Sequence, residues 1–276
     1  MTEWDAVAYA RRSGLQEAMA QEALALLDLE GSERVLDVGC GDGRITAKIA
    51  ARVPRGAVVG VDSSRDMIAF AMNHAAPALH PNLRFEVADA RSLPFREEFD
   101  LVVSFNALHW LPDQDAPLLS IRLAMKPAAL AQLRLVPKGE RKSLEDVLEE
   151  TRLSSRWARY FRGARDPYLH LTPERYAALA EWNGLRVLRI HTEAKAWDFK
   201  SRPAFFAFGA VTFVEWTRFL PESDKPAFIN DVLDRYQPVA ADKPGEENTF
   251  KFYQMDVTAA PGKDADDIAM IPFGDA

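Results

Sequence analysis

Between residues 31 and 137 the chain alternates short apolar-rich runs with amphipathic stretches. Arg34–Val38 is a β-branched run that ends in a glycine cluster, and Val58–Val61, Leu83–Val87, Phe99–Phe105 and Leu130–Val136 repeat the pattern. Among these runs Phe99–Phe105, nearly all apolar, predicts a strand buried on both faces. Helix-period stretches lie between them: Arg44–Arg52, closed by Pro54 and Gly56, then Asp66–Ala76 with Ser63 or Ser64 as N-cap, and Leu118–Ala124. Strand and helix in strict alternation predict a mostly parallel, doubly wound α/β sheet. Right-handed crossovers bring the carboxyl ends of its strands to one edge, where ligands bind.

The rhythm differs outside that core. Residues 1–30 carry an Ala/Leu/Glu-rich helix over Leu15–Leu29, read as an N-terminal lid. Residues 138–260 show charged helical pattern over Ser143–Phe161, a capped helix at Thr172–Glu181 and helices over Arg202–Leu220 and Lys225–Tyr236. Two strands, Leu185–His191 and Phe250–Val257, stand among them. These helices are expected to cap the sheet's ligand edge, and residues 261–276, poor in apolar side chains, to form a loose tail.

Composition narrows the chemistry. With 34 Lys and Arg against 41 Asp and Glu, the net charge is -7, and no basic run offers a face to a phosphate backbone, so nucleic acid is not an expected partner. The charge-free apolar stretches Leu101–Pro112 and Pro203–Val214 are 12 residues each, too short to span a bilayer. Met1–Asp5 has two acids and no apolar run, unlike a secretory signal. Cys40 is the single cysteine, so neither an internal disulfide nor a cysteine-based zinc site is expected. The expectation is a cytoplasmic, metal-independent protein, monomeric or weakly dimeric.

The most informative segment is Val35-Leu36-Asp37-Val38-Gly39-Cys40-Gly41-Asp42-Gly43, a strand opening into a glycine loop ahead of a helix. Side chains at such positions would keep the backbone away from a bound cofactor, and the free amides of the following helix face it. Asp62 closes the next strand 21 residues after Gly41, where a carboxylate can accept from a ribose diol. The dinucleotide pattern Gly-x-Gly-x-x-Gly is not met, because its third glycine position holds Arg44. Asp37 inside the leading strand would repel a pyrophosphate but suits a cationic ligand. That points to S-adenosylmethionine, whose sulfonium and ammonium are positive and which carries no phosphate.

Val35–Gly43, Val58–Ser63, Val87-Ala88-Asp89-Ala90 and Phe99–Ser104 resemble, in order and spacing, the successive motifs of class I S-adenosylmethionine-dependent methyltransferases. The resemblance implies a Rossmann-like sheet of seven strands with an antiparallel last strand. It places Gly39 and Gly41 at the methionine part, Asp62 with Ser63 at the ribose hydroxyls, Asp89 and Ala90 at adenine, and Asn106 near the sulfonium. Lys126-Pro127-Ala128-Ala129 departs from the family's Gly-Gly turn before the fifth strand, so a turn of another shape is expected. Asn106-Ala107-Leu108-His109-Trp110-Leu111-Pro112 and Thr172–Tyr176 resemble the trans-aconitate methyltransferase group, and Tyr9–Gln16 resembles juvenile hormone acid methyltransferases. Both groups esterify small carboxylic acids, and by that resemblance Gln16 and Trp110 hold the acceptor carboxylate.

Bland alternatives accompany these assignments. Trp110 and His109 can plug the mouth of the sheet, and Gln16 can be a polar point on a surface helix. If the acceptor were a phenol or amine, a base would be needed and His109 is the candidate. A non-catalytic cofactor-binding protein would keep the same loop. Phe205, Phe206, Phe208, Phe213, Trp216 and Phe219 are expected mainly as core packing, and Glu145, Asp146, Glu149 and Glu150 as a solvated helix face.

Overall fold

The computed structural model describes residues 14–74 and 80–262. A helix, α1 (Gly14–Ala25), leads into β1 (Arg34–Val38), α2 (Arg44–Arg52), β2 (Ala57–Asp62), α3 (Arg65–His74), β3 (Leu83–Val87), β4 (Phe99–Phe105), α4 (Asp115–Ala124) and β5 (Met125–Leu135). The second half supplies α5 (Leu144–Arg152), α6 (Pro173–Trp182), β6 (Leu185–Asp198), α7 (Arg202–Thr212), α8 (Val214–Thr217), α9 (Lys225–Ala240) and β7 (Thr249–Pro261). The seven strands form one sheet in the order β3-β2-β1-β4-β5-β7-β6. The first five are parallel, and β7 is antiparallel to both β5 and β6. The expected Rossmann-like fold is therefore present.

Successive residues of the central strands serve opposite faces, as the pleat requires. Leu36, Val59 and Val102 pack with Leu118 and Ile121 of α4 and with Tyr176 of α6. Val35, Val58, Leu101 and Val103 pack on the other face with Ile49 of α2 and Ile68 of α3. A third core belongs to the cap, joining Leu144, Val147 and Leu148 of α5 to Trp157, Phe205, Trp216 and Phe228. Helix α1 bridges two of these cores, with Leu15 in the cap and Ala23 against the α2 face. A buried ion pair also ties the sheet together: Arg134 forks onto Asp256 of β7 at 2.7 and 2.8 Å, and Arg134 reaches Glu22 of α1 at 3.2 Å.

Four local expectations are revised. The helix anticipated over Ser143–Phe161 stops at Arg152, with a 3-10 turn at Ala158–Tyr160 beyond it. Its start is well specified, since Ser143 and Asp146 form a reciprocal capping box. The helix anticipated over Arg202–Leu220 breaks at Phe213, where the Thr212 hydroxyl donates to the Phe208 carbonyl and competes with the helical ladder. Residues 126–129 make no separate turn. They form a bulge in β5, whose pairing jumps from Phe99↔Met125 to Leu101↔Leu130, and none of them needs a positive φ. Finally, β6 and β7 are longer than their apolar runs suggested: β6 continues to Asp198 beside the cap core, and β7 continues to Pro261, where Ala259 joins the sheet core. Residues 1–13 and 263–276, with Tyr9–Ser13 and most of the anticipated tail, lie outside the described residues. Pro261 itself belongs to β7, and Gly262 N–H donates to Gly184 O at 2.7 Å.

Candidate functional site

The loops that follow β1, β2, β3 and β4 converge on one edge of the sheet, beside the switch in strand order between β1 and β4. Together with the cap they enclose a cleft of about 670 Å³. Asp37, Gly39, Gly41, Asp62, Ser63, Asp89, Ala90, Asn106, His109 and Trp110 all line it. Gln16 belongs to α1, but its side chain falls outside the described residues.

The glycine loop is held by backbone bonds and by Asp62. Gly39 and Cys40 N–H both donate to Val61 O, at 2.8 and 3.0 Å, which docks the loop on the end of β2. Asp62 accepts from Gly41 N–H at 3.1 Å and from Ser64 N–H at 2.9 Å, so its carboxylate is aimed before any ligand arrives. Gly41 has φ +54, and a Cβ built there meets nothing within 4 Å, since it would project into the open cleft. At Gly39 the obstacle is protein instead, because a Cβ would come to 2.2 Å from that of Ala107. The loop is shaped for close backbone approach by something in the cleft.

Charge in the cleft favours a cation. Asp37 is only 2% exposed and accepts from the Thr46 hydroxyl at 2.7 Å. Burial pushes its carboxyl up to about 7, with Thr46 opposing the shift and the charge of Asp62 adding to it. A nearby sulfonium or ammonium would compensate this carboxylate, whereas a phosphate would meet two acids at the loop. The residues present therefore fit S-adenosylmethionine. Asp89 caps the 3-10 turn Ala90–Ser92 and receives the Arg91 guanidinium, with contacts of 2.6 to 3.1 Å. Those side-chain bonds hold its carboxyl below the usual range. Any group recognised by Asp89 shares it with Arg91.

Asn106 takes the left-handed conformation, φ 56, at the end of β4. Strain of this kind persists only when the surroundings enforce it. Here Asn106 N–H donates to Arg134 O at 2.7 Å and its side-chain oxygen accepts from Gln254 at 3.1 Å. The next residues form the 3-10 turn Leu108–Trp110. His109 points inward, 4% exposed, with Nδ1 3.4 Å from Val136 N–H. Desolvation, with a smaller contribution from His170, pushes its pKa down to about 3. Trp110 is half-buried, its ring 4.4 Å from that of Tyr168, which in turn stacks on Trp216 at 5.6 Å. Cys40 is a buried filler whose thiol is raised by burial, in keeping with a packing role.

Two sequence expectations about this site change. The aromatic residues of the cap do both jobs: Phe205 belongs to the cap core alone, while Phe208, Phe213, Trp216 and Phe219 also face the cleft. The acids of α5 divide: Asp146 and Glu150 are exposed as a solvated face requires, but Glu145 and Glu149 are not. Glu149 accepts from the Trp216 indole at 2.5 Å and pairs with Arg152, and Glu145 lines the cleft. Nothing local marked Tyr168, which sits on an irregular segment. Among the described residues no group of His, Cys, Asp and Glu could hold a metal ion, and no helix is long and apolar enough to cross a membrane.

Comparison with known proteins agrees with this geometry. Residues 35–128 match the methyltransferase domain family. A trans-aconitate 2-methyltransferase of Deinococcus radiodurans is 31% identical over 264 residues, covering 91% of this chain and 96% of that one. Among solved structures, the YcgJ protein of Bacillus subtilis superimposes with a TM-score of 0.61 at 15% identity, over 90% of this chain and all of that one. Phosphoethanolamine N-methyltransferase 2 of Haemonchus contortus, solved with S-adenosyl-L-methionine, does so at 0.56 and 19%, over 88% of this chain and 53% of that one. The chain belongs to the class I S-adenosylmethionine-dependent methyltransferases. Within that class it is similar over nearly full length to the Deinococcus enzyme, and over about half of its length to other trans-aconitate 2-methyltransferases.

Proposed function

We propose that the enzyme methylates a carboxylate oxygen of a small organic acid, with the cytoplasm as its compartment. The observation that carries this reading is the state of His109. An imidazole whose pKa lies near 3 is a weak base, and a phenol or ammonium acceptor would need a stronger one. A carboxylate is ionised at neutral pH and needs none. The 31% identity to a trans-aconitate 2-methyltransferase supports the same class of acceptor.

S-adenosylmethionine, when bound, supplies an electrophilic methyl group on a sulfonium. The chain's residues then position and desolvate. Gly39 and Gly41 would let the backbone lie against the methionine part, Asp62 with Ser63 would take the ribose hydroxyls, and Asp89 with the Ala90 backbone would meet adenine. Asp37 would balance positive charge at the loop, and Asn106 would border the sulfonium end. Trp110 and Gln16 would donate side-chain N–H groups to the acceptor carboxylate, with His109 packed behind as a neutral wall. Alignment of acceptor oxygen and methyl carbon in a site closed to water can supply ~7–11 kcal/mol of the barrier.

The test is to incubate the enzyme with methyl-labelled S-adenosylmethionine and a metabolite extract. Label in alkali-labile esters is expected, and Trp110→Ala or Gln16→Ala should depress turnover while S-adenosylhomocysteine affinity holds. Label confined to alkali-stable N-methyl or phenol ether products overturns the reading.

A further inference from the structure

Beside the cleft lies a side chamber of about 210 Å³, and the two spaces share Glu145, Asp166 and Tyr168 in their walls. The four acids of α5 differ sharply in what balances them. Asp146 closes the capping box, Glu149 pairs with Arg152, and Glu150 pairs with Lys142 at 2.6 Å. Glu145 has a hydrogen bond from Ser143 and forms no ion pair with a Lys or Arg among the described residues. Glu145 is half-buried in the wall shared by the two spaces, and desolvation there pushes its pKa up, with nearby His170 opposing the shift. A partly desolvated carboxylate without a Lys or Arg beside it favours a ligand that brings a cation.

Other features of the chamber suit the same ligand. Tyr168 lies in its wall, with the Trp110 and Trp216 rings at 4.4 and 5.6 Å on the cleft side, and aromatic faces attract cations. His170, its ring 5.1 Å from that of Tyr168, has a buried Nε2 without a hydrogen-bond partner, able to accept from an N–H donor in the Nδ1-protonated tautomer. The chamber's own cations are committed elsewhere or in water. Arg141 and Lys251 pair with Asp242, Lys251 also with Glu246, and Lys138 is exposed.

We propose that this chamber is a subsite for an ammonium group, in which Glu145 and the Nε2 of His170 accept its N–H bonds and the Tyr168 ring flanks it. The acceptor is then an organic acid that carries a cationic nitrogen remote from the carboxylate being methylated, and a second carboxylate at that end is repelled. The inference rests on the carboxylate reading above, and it separates this chain from a polycarboxylate enzyme such as its trans-aconitate relatives.

Calorimetric titration of the S-adenosylhomocysteine-loaded enzyme tests it, using ω-amino acids of increasing length beside length-matched monocarboxylates and dicarboxylates. The best amino acid is expected to bind roughly tenfold or more tighter than its monocarboxylate, as hydrogen bonds between charged groups warrant, with the dicarboxylate weakest. Glu145→Gln should abolish that preference and leave monocarboxylate affinity unchanged. No binding of the amino acids, no preference for them, tightest binding by a dicarboxylate, or a preference that survives Glu145→Gln overturns the subsite. Product analysis with labelled donor keeps the two readings apart: esters formed without amine preference sink the subsite alone, whereas methyl on nitrogen sinks both.

Discussion

Removing the Asp62 carboxylate probes the cofactor site most directly. In the folded protein its two oxygens already accept from Gly41 and Ser64 N–H, at 3.1 and 2.9 Å, at the wall of the cleft. A carboxylate oxygen can accept more than one hydrogen bond, so the two hydroxyls of a ribose can share it with those amides. Hydrogen bonds to a charged acceptor contribute about 1.5–3 kcal/mol, so Asp62→Ala should weaken S-adenosylhomocysteine binding by about 10- to 150-fold. The same change strips acceptors from two loop amides and should cost stability as well, about 1–2 kcal/mol. Loss of the sugar contact and loss of loop order must therefore be separated. A double-mutant cycle does so, pairing Asp62→Ala with a cofactor product that lacks the ribose 2′-hydroxyl. Calorimetry should show that the wild type discriminates between the two ligands and that the variant does not. Unchanged affinity in a folded Asp62→Ala protein, or full discrimination retained by it, would refute the ribose assignment.

Three further outcomes are expected. Asp37 has a carboxyl raised to about 7, so its contribution to stability is complete below the ordinary carboxylate pKa and is lost as pH rises through about 7. Asp37→Asn should flatten the melting temperature across that window, with an upper bound of about 4 kcal/mol gained on the alkaline side, and should weaken binding of the cationic donor; an unaltered pH–stability curve counts against the buried acid. With cofactor saturating, turnover of a carboxylate acceptor should show no titration of His109 above its depressed pKa of about 3, so a limb near neutrality that disappears in His109→Gln would contradict the neutral wall. Arg134→Leu should lower unfolding free energy by about 3–5 kcal/mol, because Asp256, 8% exposed, would stay buried without its cation; urea denaturation measures it, and a neutral result removes that pair from the fold's supports.

Local sequence carried the part of this protein that contiguous residues decide. Gly39, Gly41 and Gly43 announce a loop because each takes a positive φ within one turn, and Asp62 is legible because a strand's last residue has a fixed place at the sheet edge. The order of strands and helices followed from apolar periodicity, which the pleat and the helical turn impose over a few residues. Tertiary structure decided what distant segments do to each other. The insertion of β7 between β5 and β6, the bulge at residues 126–129 and the break at Phe213 depend on partners tens of residues away. The same holds for chemistry at the acceptor end. Glu145 looks like one acid among four until α5 packs against the cap core and turns it inward, and Tyr168 and His170 acquire neighbours only when their irregular segment lies across the cleft. Burial, which sets the protonation of Asp37 and His109, is a property of the assembled neighbourhood and is written in no single stretch of chain.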